Sequence, residues 1–392
     1  GRMKLVVVIA SLAAGGAARV VTSLANHWAG AGWEITFITY DDGSEAPFFP
    51  LYPGIKIVSM DMAQAYGGLI AAGWRNFRRI ARLRSAIAST KPDCVIAVGE
   101  TNGVRAIIAC QGMDVPVIVS EHTDASDVLS QKHGMVWNLL RSRIYPKAAA
   151  VVVPNGRMKE QFRGRIQKLT RIIPNPLPSD LPATFQEFEM TVTLPANTIA
   201  AMGRLVRQKR FDLLLQAFAI VAAQRDCHLI IAGDGPLRSE LESLRDRLGL
   251  SSRVSMPGTL PDPWPLLRQA KIFVVSSEVE SFGIALCEAM ACGLPVVSFD
   301  SPTGPRDIIR DGVDGVLVPP LDVNALAQAM ERLLDDEAEA ARLSARAIEV
   351  RQRFGLEKIS AQWEDVLNRA LGSGSRMLGF EIAHGDRSRG NG

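Results

Sequence analysis

Residues 4–11 read Lys-Leu-Val-Val-Val-Ile-Ala-Ser, with five consecutive large aliphatic residues and no polar side chain among them. A strand with one face in water alternates apolar and polar residues. A continuous β-branched run instead predicts a strand covered on both faces, as in a parallel sheet flanked by helices. The small-residue loop Ala13-Ala14-Gly15-Gly16 follows, then a helix pattern over 17–28 and a strand pattern over 34–40. Further strands are predicted at 55–59, 94–98, 115–120 and 149–153, with helices between them. This alternation specifies a doubly wound parallel sheet.

Pro178, Pro182 and Pro195 break the pattern, after Ile173-Pro174-Asn175-Pro176, and mark a linker from 177 to about 196. The alternation then restarts. Strands are expected at 198–202, 228–232, 253–256, 272–276, 296–299 and 315–318, and helices at 210–224, 236–248, 283–292 and 304–310. The remainder reads as helix over 322–334, 337–353 and 357–371. The fold class is therefore α/β, with two Rossmann-like doubly wound domains facing a cleft and a helical C-terminal part. The expected boundaries are 3–180 and 181–355, then a helix at 356–371 crossing back to the first domain. The Gly/Ser/Arg-rich tail 372–392 is expected to be disordered or vector-derived.

A length of 392 residues suits two domains. At 47% hydrophobic and 22% charged the composition is globular, which excludes a fibre or a largely disordered chain. No apolar run reaches the ~18 residues of a spanning helix. Residues 5–14 behind Met3-Lys4 imitate a secretory leader, but the helix and strand patterns that follow make them the first strand of a β-α-β unit. Five scattered cysteines in apolar surroundings read as buried thiols of a reducing compartment. No metal ligand set is visible. Residues 1–180 hold 21 basic and 13 acidic residues, and the remainder 23 and 28. The first half, at +8, suits an anionic surface or ligand.

The segment Glu280-Ser281-Phe282-Gly283-Ile284-Ala285-Leu286-Cys287-Glu288 follows a predicted buried strand and opens a helix. A strand, a tight glycine turn and a helix N-terminus form an anion cradle, because unpaired amides and the helix dipole face outward there. Carboxylates beside a phosphate site cannot serve the phosphate. Glu280 and Glu288 suit hydroxyl donors, such as the ribose and sugar of a nucleotide sugar. The alternative for the same residues is a solvated loop glutamate and a helix-dipole or salt-bridge partner.

Glu280-x7-Glu288, with Phe282-Gly283-Ile284 inside it and Ala289-Met290-Ala291-Cys292-Gly293-Leu294-Pro295 after it, resembles family 4 of the retaining GT-B glycosyltransferases. Gly203-Arg204-Leu205 with Lys209 resembles that family's basic diphosphate clamp. Ala232-Gly233-Asp234-Gly235-Pro236 and 311–318 resemble its donor domain. Gly15-Gly16-Ala17-Ala18-Arg19 resembles its glycine loop, with Ala18 where glutamate is common, and Ser120-Glu121-His122 its active-site histidine. The matches run in order from about residue 4 to 371.

The resemblance implies a cleft that binds a nucleoside diphosphate sugar. Arg204 and Lys209 would stabilise the charge that grows on the departing diphosphate, by analogy with ~2.7–4 kcal/mol for one oxyanion donor. Glu288 would hold the ribose and Glu280 the sugar hydroxyls. The amides of Ser281, Phe282, Gly283 and Ile284 would meet phosphate or sugar, with Gly15, Gly16, Gly203 and Gly233 giving close backbone approach. His122 would lie beside the transferred sugar. No cofactor or metal is required by this reading, and no nucleic acid is implied.

On the predicted helix 69–89, Ile70, Trp74, Phe77, Ile80, Ala81 and Ile87 fall in one arc, and Arg75, Arg78, Arg79 and Arg82 in the opposite one. Such a helix suits a membrane interface or a lipid pyrophosphate, or packs on a core with a solvated basic face. Glu121 and Asp124 are candidates for acceptor contacts. The segment around Ser120-Glu121-His122 is similar to bacterial transferases that extend polyprenyl-diphosphate-linked oligosaccharides. It implies a lipid-linked saccharide acceptor and a cytoplasmic enzyme, peripheral at the inner membrane face. A UDP-sugar is favoured over a GDP-sugar. A GT-B nucleotide-sugar epimerase and a sugar-binding scaffold are the alternatives. A nicotinamide oxidoreductase lacks its Gly-x-Gly-x-x-Gly after Ser11.

Overall fold

The computed structural model describes residues 2–62, 69–122, 134–182 and 193–372, the side chains of 69–75 and 134–137 excepted. Two parallel sheets organise them. The first contains β1 (Lys4–Ile9), β2 (Glu34–Thr39), β3 (Lys56–Ser59), β4 (Cys94–Val98), β5 (Val117–Ser120), β6 (Ala150–Val153) and β7 (Thr170–Ile172). Its order is β3-β2-β1-β4-β5-β6-β7, parallel throughout. The second contains β8 (Thr198–Met202), β9 (His228–Ala232), β10 (Val254–Gly258), β11 (Ile272–Val275), β12 (Val296–Phe299) and β13 (Val316–Val318). Its order is β10-β9-β8-β11-β12-β13, again parallel.

The opening run has its expected cause. Leu5, Val7 and Ile9 enter one apolar cluster, while Val6 and Val8 enter another on the opposite face. A period of two thus sends all of Leu5–Ile9 into one core or the other, with only Lys4 of β1 exposed. The helix Gly16–Gly30 covers the first face through Val20, Val21, Leu24 and Trp28. The helix Leu69–Thr90 and the helix Glu100–Ala109 cover the second.

The C-terminal helix Leu356–Ala370 returns to the first core, burying Ile359, Trp363, Val366 and Leu367 there. Trp28 Nε1 donates to Glu364 at 3.1 Å, and the Leu177 amide donates to the Phe354 carbonyl. The chain therefore passes twice between the domains, at 177–182 and at 354–356.

Three differences from the sequence reading have local causes. β7 was not expected; it is a three-residue edge strand with an exposed arginine at its centre. The helix predicted over 337–353 is two, Glu337–Ala347 and Val350–Arg353. The buried stripe of the helix Leu69–Thr90 runs through Ile80, Leu83, Ala86 and Ile87 rather than through Phe77, which is 63% exposed. No helix among the described residues is long and apolar enough to cross a membrane.

Candidate active site

In each sheet the strand order reverses beside the first strand of its domain, between β1 and β4 and between β8 and β11. Chains leave such a switch point in opposite directions and open a crevice at the carboxyl ends of the strands. The loop after β1 carries Gly15 and Gly16, and the loop after β8 carries Gly203 and Arg204. The loop after β11 carries Glu280 and leads into the helix Ile284–Ala291. These loops enclose a cleft of about 620 Å³. Gly15, Gly16, Arg19, Phe48 and Phe49 line it from the first domain; Gly203, Arg204, Lys209, Gly233, Glu280, Gly283, Ile284 and Glu288 line it from the second.

Backbone geometry fixes the second wall. A Cβ on Gly233 would lie 1.9 Å from the Gly203 carbonyl oxygen, so the loops after β8 and β9 meet only if this residue is glycine. Gly283, at φ 98°, caps the helix Ile284–Ala291 in a left-handed conformation. That helix has no side-chain cap, and its unpaired first-turn amides open on the cleft. Gly15 and Gly16 differ: a Cβ on either meets nothing within 4 Å. Packing does not require glycine there, and its absence of side chain leaves the entrance to the helix Gly16–Gly30 open.

Two cations face this wall. Arg204 is exposed, and no side-chain partner holds it among the described residues. Lys209 Nζ lies 2.6 Å from Glu280 Oε2, which also accepts from Ser277 Oγ at 2.9 Å. Ser276 Oγ donates to the Lys209 carbonyl at 2.7 Å and stitches the two loops together. Arg210, next to Lys209, is held by Asp212 through two 3.0 Å contacts. Glu288 is buried, and burial pushes its carboxyl up to about 7 against the opposing pull of Arg19.

The structure redirects several predicted residues. Phe282 is buried and stacks edge-on against Phe354, with ring centroids 5.3 Å apart, so its side chain belongs to the core. Ser281 does not line the cleft; its carbonyl accepts from Asn155 Nδ2 of the first domain at 2.6 Å. Glu121 is buried away from the cleft. It accepts from the Tyr145 hydroxyl at 2.5 Å, with Arg141 at 3.7 Å, and burial raises its pKa. That carboxylate serves the interior of the first domain rather than an acceptor. Asp314, in the 311–318 motif, is wholly buried between Arg310 and Arg353 and acts as a turn anchor.

His122 stands at the carboxyl end of β5 with Nε2 2.9 Å from Ser120 Oγ. The residue is half-buried, yet its Nδ1 is fully enclosed with no hydrogen-bond partner among the described residues. Burial pushes its pKa down to about 4, so the ring is neutral near pH 7. It is not among the residues lining the cleft. Asp124 lies outside the described residues, as does the side chain of Arg75. Arg79 donates twice to the Met62 carbonyl, at 3.0 and 2.8 Å, while Arg78 and Arg82 are exposed.

Sequence reasoning missed Arg19 and Asn155. Arg19 Nε lies 3.2 Å from Glu288 Oε1 across the cleft, and its Nη2 3.1 Å from Asp180. A lone arginine four residues into a helix looks like a solvated charge, and its partner is 269 positions away in the chain.

Comparison with known proteins agrees with the two-domain fold. A profile for Glycosyltransferase Family 4 matches residues 14–181, and one for Glycosyl transferases group 1 matches 185–350. A Campylobacter jejuni alpha-1,4-N-acetyl-D-galactosaminyltransferase, named for an undecaprenol-diphosphate-linked GalNAc-containing acceptor, is 29% identical over 92% of this chain and 97% of its own. An exopolysaccharide phosphotransferase of Streptomyces coelicolor is 34% identical over 62% of this chain but only 27% of its own length. Sucrose-phosphate synthase from Thermosynechococcus elongatus superposes with a TM-score of 0.77 at 22% identity, over 94% of this chain and 99% of that one. Anabaena HepE in complex with UDP and glucose gives 0.73 at 22% identity, over 94% and 100%. The two family profiles together cover every strand of both sheets except β1, and the loops of the cleft between them, and the chain belongs to the GT-B glycosyltransferases that join a Family 4 domain to a group 1 domain.

Proposed function

We propose that this glycosyltransferase moves a sugar from a nucleoside diphosphate sugar, UDP-linked by preference, to a hydroxyl of a polyprenyl-diphosphate-linked saccharide, with retention of anomeric configuration. The observation that carries the reading is the cleft at the two switch points. It combines helix amides, the cations Arg204 and Lys209, and the hydroxyl acceptors Glu280 and Glu288. The diphosphate gains charge as the glycosidic bond breaks, and cations already placed in the cleft, Lys209 held there by Glu280 and Arg204 beside it, stabilise that charge. Glu288 takes the ribose. Glu280, steadied by Lys209 and Ser277, takes the sugar hydroxyls.

Retention follows if the acceptor attacks from the face that the diphosphate leaves, with a phosphate oxygen taking the acceptor proton. Glu280 is committed to Lys209, which counts against its forming a covalent sugar intermediate. His122, half-buried and neutral, contributes shape and hydrogen bonding rather than a proton. The UDP preference draws support from HepE, whose structure holds UDP, and the acceptor class from the name of the Campylobacter relative.

The same reading has the first domain resting on an anionic membrane. Between Arg143 and Arg171 there are eight cations and a single carboxylate, Glu160. None of those cations is paired with a carboxylate among the described residues. Leu139 and Phe77 of the same domain are also exposed and can add apolar contact with a bilayer.

The test is product mass. The enzyme is incubated with UDP- and GDP-sugars and a short polyprenyl-diphosphate saccharide. Addition of one sugar to the lipid, α-linked from an α-donor, is expected. A changed or hydrolysed donor with the lipid untouched would replace this reading with the epimerase one.

A further inference from the structure

The Glu-x7-Glu segment of the second domain is held from the first domain at two points. Asn155 Nδ2 donates to the Ser281 carbonyl, and Arg19 Nε meets Glu288 Oε1. The Arg19 side chain is only 8% exposed. It lies 4.7 Å from the Phe49 ring centroid in the first domain and 5.7 Å from that of Trp264 in the second. It bridges Glu288 and Asp180, so one planar cation joins the helix after β1, the linker and the helix Ile284–Ala291. The contact uses Oε1 of Glu288 and leaves Oε2 for a ligand hydroxyl.

We propose that Arg19 is a positioning residue which reaches across the cleft to orient and charge-balance Glu288, so that the Glu288 carboxylate accepts the nucleotide's ribose hydroxyls only when the two domains are closed. The inference rests on the reading of Glu288 as the ribose acceptor. Its physical basis is the cost of enclosing a carboxylate. Closure removes Glu288 from water, and a buried carboxylate without a cation protonates or resists burial. A protonated carboxyl is a poor acceptor for two hydroxyl groups at once. Arg19 and Asp180 are the charged groups that act on this carboxyl. Arg351 and Arg353, on the helix packed behind it, are spent on the Ala291 and Ile308 carbonyls. Lysine cannot span Glu288 and Asp180 together as the guanidinium fork does.

The experiment measures binding of UDP and of GDP to the full chain by calorimetry from pH 6.5 to 9, for wild type, R19Q, R19K, E288Q and R19Q/E288Q. R19Q is expected to weaken the preferred nucleotide about 10-fold or more at pH 7. The loss shrinks toward pH 9, where the unpaired carboxyl ionises. In turnover, R19Q raises KM for the donor with little change in kcat at saturation. R19K recovers part of the affinity, and keeps the test alive if R19Q does not fold. Over E288Q, R19Q adds nothing. If R19Q and R19K bind as wild type at every pH while E288Q does not bind, Arg19 has no such role and the ribose reading stands. If E288Q also binds as wild type, the ribose reading itself falls.

Discussion

The Lys209 ammonium sits 2.6 Å from Glu280 Oε2, so the residue assigned to the diphosphate and the residue assigned to the sugar form one ion pair inside the cleft. Both side chains are part-buried. Each fixes the other's rotamer before any ligand arrives, and a donor lying across the pair would touch both at the bond that breaks. Preorganisation of this kind lowers the reorganisation needed as charge develops.

The pair predicts different signatures for its two members. K209A removes a cation that acts on the leaving group, and turnover should fall by ~100-fold or more. E280Q keeps the shape but releases Lys209, so UDP should bind at least as tightly while kcat falls. Calorimetry with UDP beside steady-state rates separates them. Equal weakening of UDP binding in both variants would assign Glu280 to the nucleotide instead.

Arg204 makes the opposite case, because nothing among the described side chains depends on it. R204A is expected to leave the free energy of unfolding within about 0.5 kcal/mol of wild type, read by thermal and urea melts. Its turnover should drop by ~100-fold. With two protein cations at the diphosphate, activity should also survive EDTA. Magnesium-dependent recovery after EDTA would show that these cations do not suffice.

The basic stretch between Arg143 and Arg171 predicts salt-sensitive attachment to anionic vesicles. Replacing Arg157, Lys159, Lys168 and Arg171 with Gln should weaken co-sedimentation with phosphatidylglycerol liposomes by about 1 kcal/mol per cation. R78Q/R82Q should do less, since it removes two cations rather than four. Retention of binding in the first variant and loss in the second would return the membrane face to the helix Leu69–Thr90.

The sheets were legible because burial on both faces leaves no polar residue in strands such as Val6-Val7-Val8. The cleft loops were legible because close backbone approach demands glycine, as at Gly233 against Gly203. What escaped depends on contacts that periodicity cannot see. Arg19 and Glu288 lie 269 positions apart and meet only where the two domains face each other. Glu121 looked available for an acceptor, yet Tyr145 and Arg141 enclose it. Of the arc read from the helical projection, Ile80 and Ile87 do face the core, but packing against the helix Glu100–Ala109 rotates the buried stripe onto Leu83 and leaves Phe77 and Ala81 exposed.

His122 gives a pH signature. Burial lowers its pKa from 6.5 to about 4, so the folded protein refuses a proton that the unfolded chain accepts between those values. Stability from this group is therefore complete above pH 6.5 and is lost as pH falls toward 4, on the order of 3 kcal/mol in all. H122N removes the titrating group. Its melting temperature should fall less than that of wild type between pH 7 and 4.5, even if it starts lower. Wild-type turnover should show no inflection near pH 6.5 that H122N abolishes. Such an inflection, or parallel melting curves for the two proteins across that range, would mean that the ring is charged when the enzyme works.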